Sequence, residues 1–122
     1  MEIGVLVHWG RVIPGKEEAA VDAFAETTKL YGAKLANGTF TYFEPFMYRT
    51  GDWQEDLGFF VLKGPEEKVS AFFDSMESKT LRTKVGQMVD HLKIEYLYTG
   101  QDVLEQVAIL GKVAEKTPAL VR

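Results

Sequence analysis

Two histidines occur in the chain, His8 and His91, and both fall at the ends of runs that read as β-strands. An imidazole changes charge near neutral pH, so either ring could pass a proton. Alternate residues of a strand share a face: Val5, Val7 and Trp9 turn one way, Leu6 and His8 the other. In the later run, Leu92, Ile94, Tyr96 and Tyr98 oppose His91, Lys93, Glu95 and Leu97. If the two strands lie antiparallel and adjacent, His8, His91, Lys93 and Glu95 form one polar cluster. His8 is then the acid/base candidate, with Glu95 to orient it. Two imidazoles and a carboxylate also match a donor set for a transition metal. The plainer alternative has His8 hydrogen-bonded inside an interface and His91 solvated at a strand end. The reading adopted is one without metal or other cofactor.

Six rings could line a small-molecule pocket between sheet and helices: Trp9, Tyr31, Tyr42, Phe60, Phe72 and Tyr96. Such pockets are mostly apolar with a few polar groups, and a buried tyrosine hydroxyl needs a partner that a ligand can supply. Tyr42 or Tyr96 could orient a substrate beside His8. The alternative is that these rings only fill the core. Glu44, Arg49, Asp52, Trp53 and Asp56 read either as a pocket mouth or as a solvated loop anchored by Trp53.

Other chemistries are excluded by composition. The absence of cysteine rules out disulfides, thiolate nucleophiles and iron–sulfur clusters. No Ser/His/Asp spacing, phosphate-binding glycine loop or helix-borne His pair is present. Acidic residues outnumber basic ones, 18 to 14, and Lys and Arg are scattered, which argues against a nucleic-acid partner. No apolar run is long enough to span a bilayer and the N-terminus lacks a signal-peptide pattern, so no membrane partner and a cytoplasmic location are expected. Hydrophobic residues make up 46% and charged residues 26% of 122, a composition suited to one globular domain.

Those residues are positioned by a definite order of elements. Ile3–Val12 is a strand apolar on both alternations, which implies cover on both faces. A helix follows from about Lys16 to Ala36, with Ala20, Phe24, Tyr31 and Leu35 as its stripe and Asn37-Gly38 as its stop. Thr39–Tyr48 contains Pro45 and reads as an edge strand; Leu57–Lys63 reads as a short buried one. A helix after Gly64-Pro65 turns Val69, Phe72, Phe73 and Met76 inward, breaks over Ser75–Thr80 and resumes with Leu81, Val85, Met88 and Val89. His91–Thr99 is the fourth strand, and a last helix carries Val103, Val107, Leu110 and Ala114. Residues 1–116 make a single domain, with 117–122 a loose tail.

The order β-α-β-β-α-β is the ferredoxin-like α+β arrangement, a four-stranded antiparallel sheet with both helices on one face. With Val12-Ile13-Pro14-Gly15-Lys16-Glu17-Glu18, the long first helix, the broken second one and the closing strand, it resembles the dimeric α+β-barrel superfamily. That group includes the antibiotic-biosynthesis monooxygenase-like domains. The resemblance covers roughly residues 1–100. It implies a homodimer, in which a second copy covers the free face of the sheet and helix 101–116 straps across the partner. Three functions are compatible with it. The first is binding of a small apolar or aromatic molecule in the sheet–helix cavity. The second is cofactor-independent monooxygenase or isomerase activity. The third is a structural or interaction module without ligand. Monooxygenase-like members often carry a Trp near the end of strand three, where this chain reads Phe60-Val-Leu-Lys-Gly64.

Overall fold

Val5 and Leu62 have no exposure to solvent, and they face each other across the two central strands of a four-stranded sheet. The structure is a computed structural model that describes residues 1–116; the tail expected over 117–122 lies outside the described residues. Strands β1 (Glu2–Trp9), β2 (Tyr42–Met47), β3 (Gly58–Pro65) and β4 (Lys93–Leu97) assemble in the order β2-β3-β1-β4 with every neighbouring pair antiparallel. Helices α1 (Glu17–Ala36), α2 (Glu66–Asp74) and α3 (Met76–Gly86) accompany the sheet, and α4 (Gln101–Lys116) follows β4. This is the expected ferredoxin-like α+β architecture.

Register decides which side chains meet. Val7 lies opposite Phe60 on one side and Ile94 on the other, so these three share the helix-covered face with Val5 and Leu62. His8 lies opposite Phe59 and Lys93, and Leu6 opposite Val61 and Glu95, which places all six on the opposite face. Pro45 sits in β2, an edge strand, where its missing N–H removes no central ladder bond.

The turn before α1 puts Gly15 at a φ of 89°, a conformation that side chains disfavour. The Gly15 amide donates to the Glu17 carboxylate at 2.8 Å. With the Glu17 amide, it holds that carboxyl below the usual carboxylate range. The buried positions of α1 are Ala23, Thr27 and Tyr31; of the expected stripe, Tyr31 is buried and Ala20 half-buried, while Phe24 and Leu35 are 45% and 39% exposed. Helical spacing alone set the expected stripe, and it does not distinguish neighbouring phases of one helix.

The interruption after α2 is narrower than expected. It is confined to Ser75, whose hydroxyl accepts the Ser78 amide at 3.2 Å and caps α3. Helical turns resume at Met76, and that side chain points to solvent with 77% exposure, not inward. Capping fixes this outcome, since it starts a new helix with its own phase.

Candidate functional site

Six rings close the sheet–helix space at one end. Tyr31 stands edge-on to Phe40, Phe43, Phe60 and Phe72 at centroid distances of 5.8, 5.6, 5.6 and 6.0 Å, and Phe73 packs behind at 6.3 Å. At the other end, α1 offers Ala20, Ala23 and Thr27 to the sheet, side chains too short to reach it. The mismatch leaves a cavity of about 570 Å³. Its floor is Val7, Trp9, Phe60 and Ile94 from the sheet; its walls include Phe24 from α1, Leu81 and Val85 from α3, and Met47 and Met88.

Trp9 forms the wide part of the floor. It packs on Phe60 at 4.9 Å and meets Phe24 edge-on at 6.1 Å. Gly58, its register partner, makes this possible: a Cβ there would lie 2.7 Å from both the Trp9 ring and the Phe46 carbonyl oxygen. The mouth is rimmed by exposed apolar groups, among them Val21 and Met47, together with Glu17.

Polar groups in the cavity are few. The Thr27 hydroxyl is spent on its own helix, donating to the Ala23 carbonyl at 2.7 Å. Tyr31 is only 5% exposed, yet its hydroxyl has no hydrogen bond among the described residues. Burial pushes the phenol well above its ordinary range, opposed in part by the Arg82 guanidinium, so the group stays a protonated donor. Ser78 is equally buried, and Arg82 completes the lining on the α3 side.

Of the six rings expected to line a pocket, Trp9, Tyr31 and Phe60 do so. Phe72 packs against Phe40 in the core, Tyr42 donates its hydroxyl to Glu44 at 2.7 Å on the other face, and Tyr96 stands at the β4 edge beside Phe73. Sequence reasoning passed over Ser78 and Arg82. The available signal was the 20, 23, 27, 31 spacing on α1, three small residues and then a ring on one helical face.

His8 occupies the opposite face of the sheet and is 5% exposed. Its Nδ1 donates to the His91 carbonyl at 3.0 Å, and its Nε2 is 2.6 Å from Asp56 Oδ1. Both ring nitrogens are thereby engaged by oxygen atoms of the protein. The carboxylate on His8 is therefore Asp56, from the connection before β3. Glu95 is exposed, two residues along β4 from Lys93, the register partner of His8. Trp53 anchors the same connection through its indole N–H to the Tyr48 carbonyl at 2.9 Å. No group of three or more His, Asp or Glu side chains suited to a metal occurs among the described residues.

His91 is the one non-glycine residue with positive φ among the described residues, at 58°. Its carbonyl is held by His8 and its ring lies 3.3 Å from Glu55 at the surface. His91→Gly should raise stability by about 0.5–1 kcal/mol, because glycine enters this conformation without the Cβ penalty while keeping the carbonyl that His8 needs. Urea unfolding checks this; a loss of stability would mean that the exposed Glu55 pair outweighs the backbone.

Comparison with solved structures gives the class. The chain has a TM-score of 0.62 to a conserved protein from Methanosarcina mazei Go1, at 12% identity over 82% of this chain and 94% of that one. It has a TM-score of 0.60 to a candidate antibiotic biosynthesis monooxygenase from Caulobacter crescentus CB15, at 17% identity over 81% and 90%. A third, a candidate antibiotic biosynthesis monooxygenase from Nitrosomonas europaea, gives 0.54 at 17% identity over 82% and 98%. The fold is thus the ferredoxin-like α+β fold of antibiotic-biosynthesis-monooxygenase-like proteins. No protein-family model matches the chain, and no curated protein does. No helix among the described residues is long and apolar enough to cross a membrane.

Proposed function

We propose that this protein binds a small, largely apolar molecule with an aromatic body in the sheet–helix cavity. The observation that carries the reading is the open cavity of about 570 Å³, floored by Trp9 and Phe60 and lined by Tyr31, whose hydroxyl has no hydrogen bond among the described residues. A volume in this range suits a ligand of a few rings. The His8 arrangement supports a structural role on the other face, since both ring nitrogens are engaged there.

Thr27→Leu tests it. The hydroxyl bonds only within α1, so little is lost by removing it, and the larger side chain fills the space beside Trp9 and Ala23. The variant should be more stable than wild type by about 1 kcal/mol, from added apolar burial. Wild type should bind the hydrophobic dye anilinonaphthalene sulfonate, and the variant should lose that binding. Dye binding by both proteins alike would place the dye elsewhere and contradict the reading.

The same proposal includes a second copy of the chain as partner. Leu6, Phe46, Phe59, Val61 and Leu97 lie on the sheet face that carries none of the covering helices, and Phe46 stacks on Phe59 at 5.0 Å at its edge. No Cα of helix α4 comes within 8 Å of another helix or strand among the described residues, while Leu104 and Leu110 are 60% and 68% exposed. Contiguous apolar surface of this kind marks an interface, and one two-fold contact would cover both features.

A further inference from the structure

The polar groups of the cavity are not scattered. Thr27 and Tyr31 are four residues apart on α1, and Ser78 and Arg82 four apart on α3, so each helix presents one pair to the same space. The Thr27 hydroxyl is satisfied by its own helix, which leaves Tyr31, Ser78 and Arg82 as available donors. Arg82 gives one N–H to the Phe73 carbonyl at 3.2 Å and has no carboxylate partner among the described residues. Two other acids are paired with lysines: Glu26 with Lys84 at 2.8 Å and Glu77 with Lys34 at 3.6 Å. A guanidinium carries five donors, and here four remain beside an apolar space.

The opposite sign sits at the mouth. Glu17 is the single carboxylate of the lining, and it opens α1. At the helical rise, Tyr31 lies about 21 Å further along the same axis. An anionic ligand group is therefore repelled at the mouth and attracted at the closed end, where both charge and donors favour it.

From this we infer that the ligand is an apolar ring compound bearing one anionic oxygen group, a carboxylate or an acidic enol or phenol, bound with that group toward Arg82, Tyr31 and Ser78. Among solvated charges such a preference would be slight. Against a half-buried guanidinium in an apolar setting, a charge-assisted hydrogen bond is stronger than a neutral one. The inference rests on the cavity-binding reading and adds to it a charge and an orientation.

Calorimetric titration with three probes tests it: 2-naphthoate, its neutral methyl ester and 2-naphthol. Wild type should bind naphthoate about 10- to 100-fold more tightly than the ester. Arg82→Gln, which keeps a donor for the Phe73 carbonyl, should abolish that preference by weakening naphthoate far more than the ester. Arg82→Lys should retain part of it, and Tyr31→Phe should weaken naphthoate several-fold with less effect on the ester. Tighter naphthol binding at alkaline pH than at neutral pH would assign the site to phenolate and enolate groups; a preference for naphthoate alone would assign it to carboxylates. Equal affinity for naphthoate and ester in wild type, unchanged in Arg82→Gln, overturns the inference and leaves the cavity reading standing. If no probe binds, and dye binding is also insensitive to Thr27→Leu, both fail together.

Discussion

Phe60→Ala should cost about 3–5 kcal/mol, the largest effect expected from a single truncation here. Phe60 is 3% exposed and lies where the two halves of the interior meet. Its ring contacts Trp9, Phe24, Phe43 and Tyr31 at centroid distances between 4.9 and 5.6 Å. Loss of the ring removes its own burial and also the support under four neighbours. Collapse cannot make up the deficit, because the site already borders a cavity and the freed volume joins it. Against a total of about 5–15 kcal/mol for a domain of this kind, the variant should be marginally folded at 37 °C. Urea unfolding monitored by circular dichroism measures the difference. Phe60→Leu, which keeps most of the volume, should cost much less. A cost below 1 kcal/mol for the alanine variant would mean that the rings re-pack across the cavity and that the open space is not a fixed part of the fold.

This dependence on one ring also explains which features were readable from residues alone. Element order was legible because alternation in Leu92–Tyr98 and the Pro14-Gly15 and Asn37-Gly38 breaks are local signals. The face assignment of His8, Lys93 and Glu95 followed from the period of two and from pairing β1 with β4. The phase of α1 did not follow, because spacing alone favoured the larger Phe24 and Leu35, whereas the structure buries Ala23 and Thr27 beside the cavity and leaves Phe24 in its wall. Met76 went wrong for a similar reason, since capping by Ser75 reset the phase. Asp56 and Arg82 reach their places through a connection and a second helix, and sequence spacing carries no information about either approach. Of the pocket, the aromatic half was legible as composition, whereas the polar half depended on tertiary placement.

Val61→Lys is the sharpest test of the second copy. Val61 is in β3, between Leu6 of β1 and Glu44 of β2, near the middle of the face that bears none of the covering helices. In an isolated chain the new ammonium would point into water, its stem lying along Leu6 and Phe59, so the fold should lose less than about 1 kcal/mol. In a sheet-on-sheet dimer the two-fold places the same change on both subunits, and two like charges meet in a desolvated interface. Each unpaired buried charge costs several kcal/mol, so dissociation should tighten its grip on the equilibrium by at least about 100-fold in Kd. Sedimentation equilibrium at micromolar concentration should therefore give twice the chain mass for wild type and the single chain mass for Val61→Lys. A dimer indifferent to Val61→Lys but dissociated by Leu104→Lys with Leu110→Lys would move the contact from the sheet to α4. A wild-type monomer would remove the second copy altogether. The cavity is built within one chain, from all four strands, α1, α3 and the connections beside them, so naphthoate binding should survive dissociation. If it were lost with the dimer, α4 of the partner would have to reach the cavity mouth, which is rimmed by Val21 and Met47.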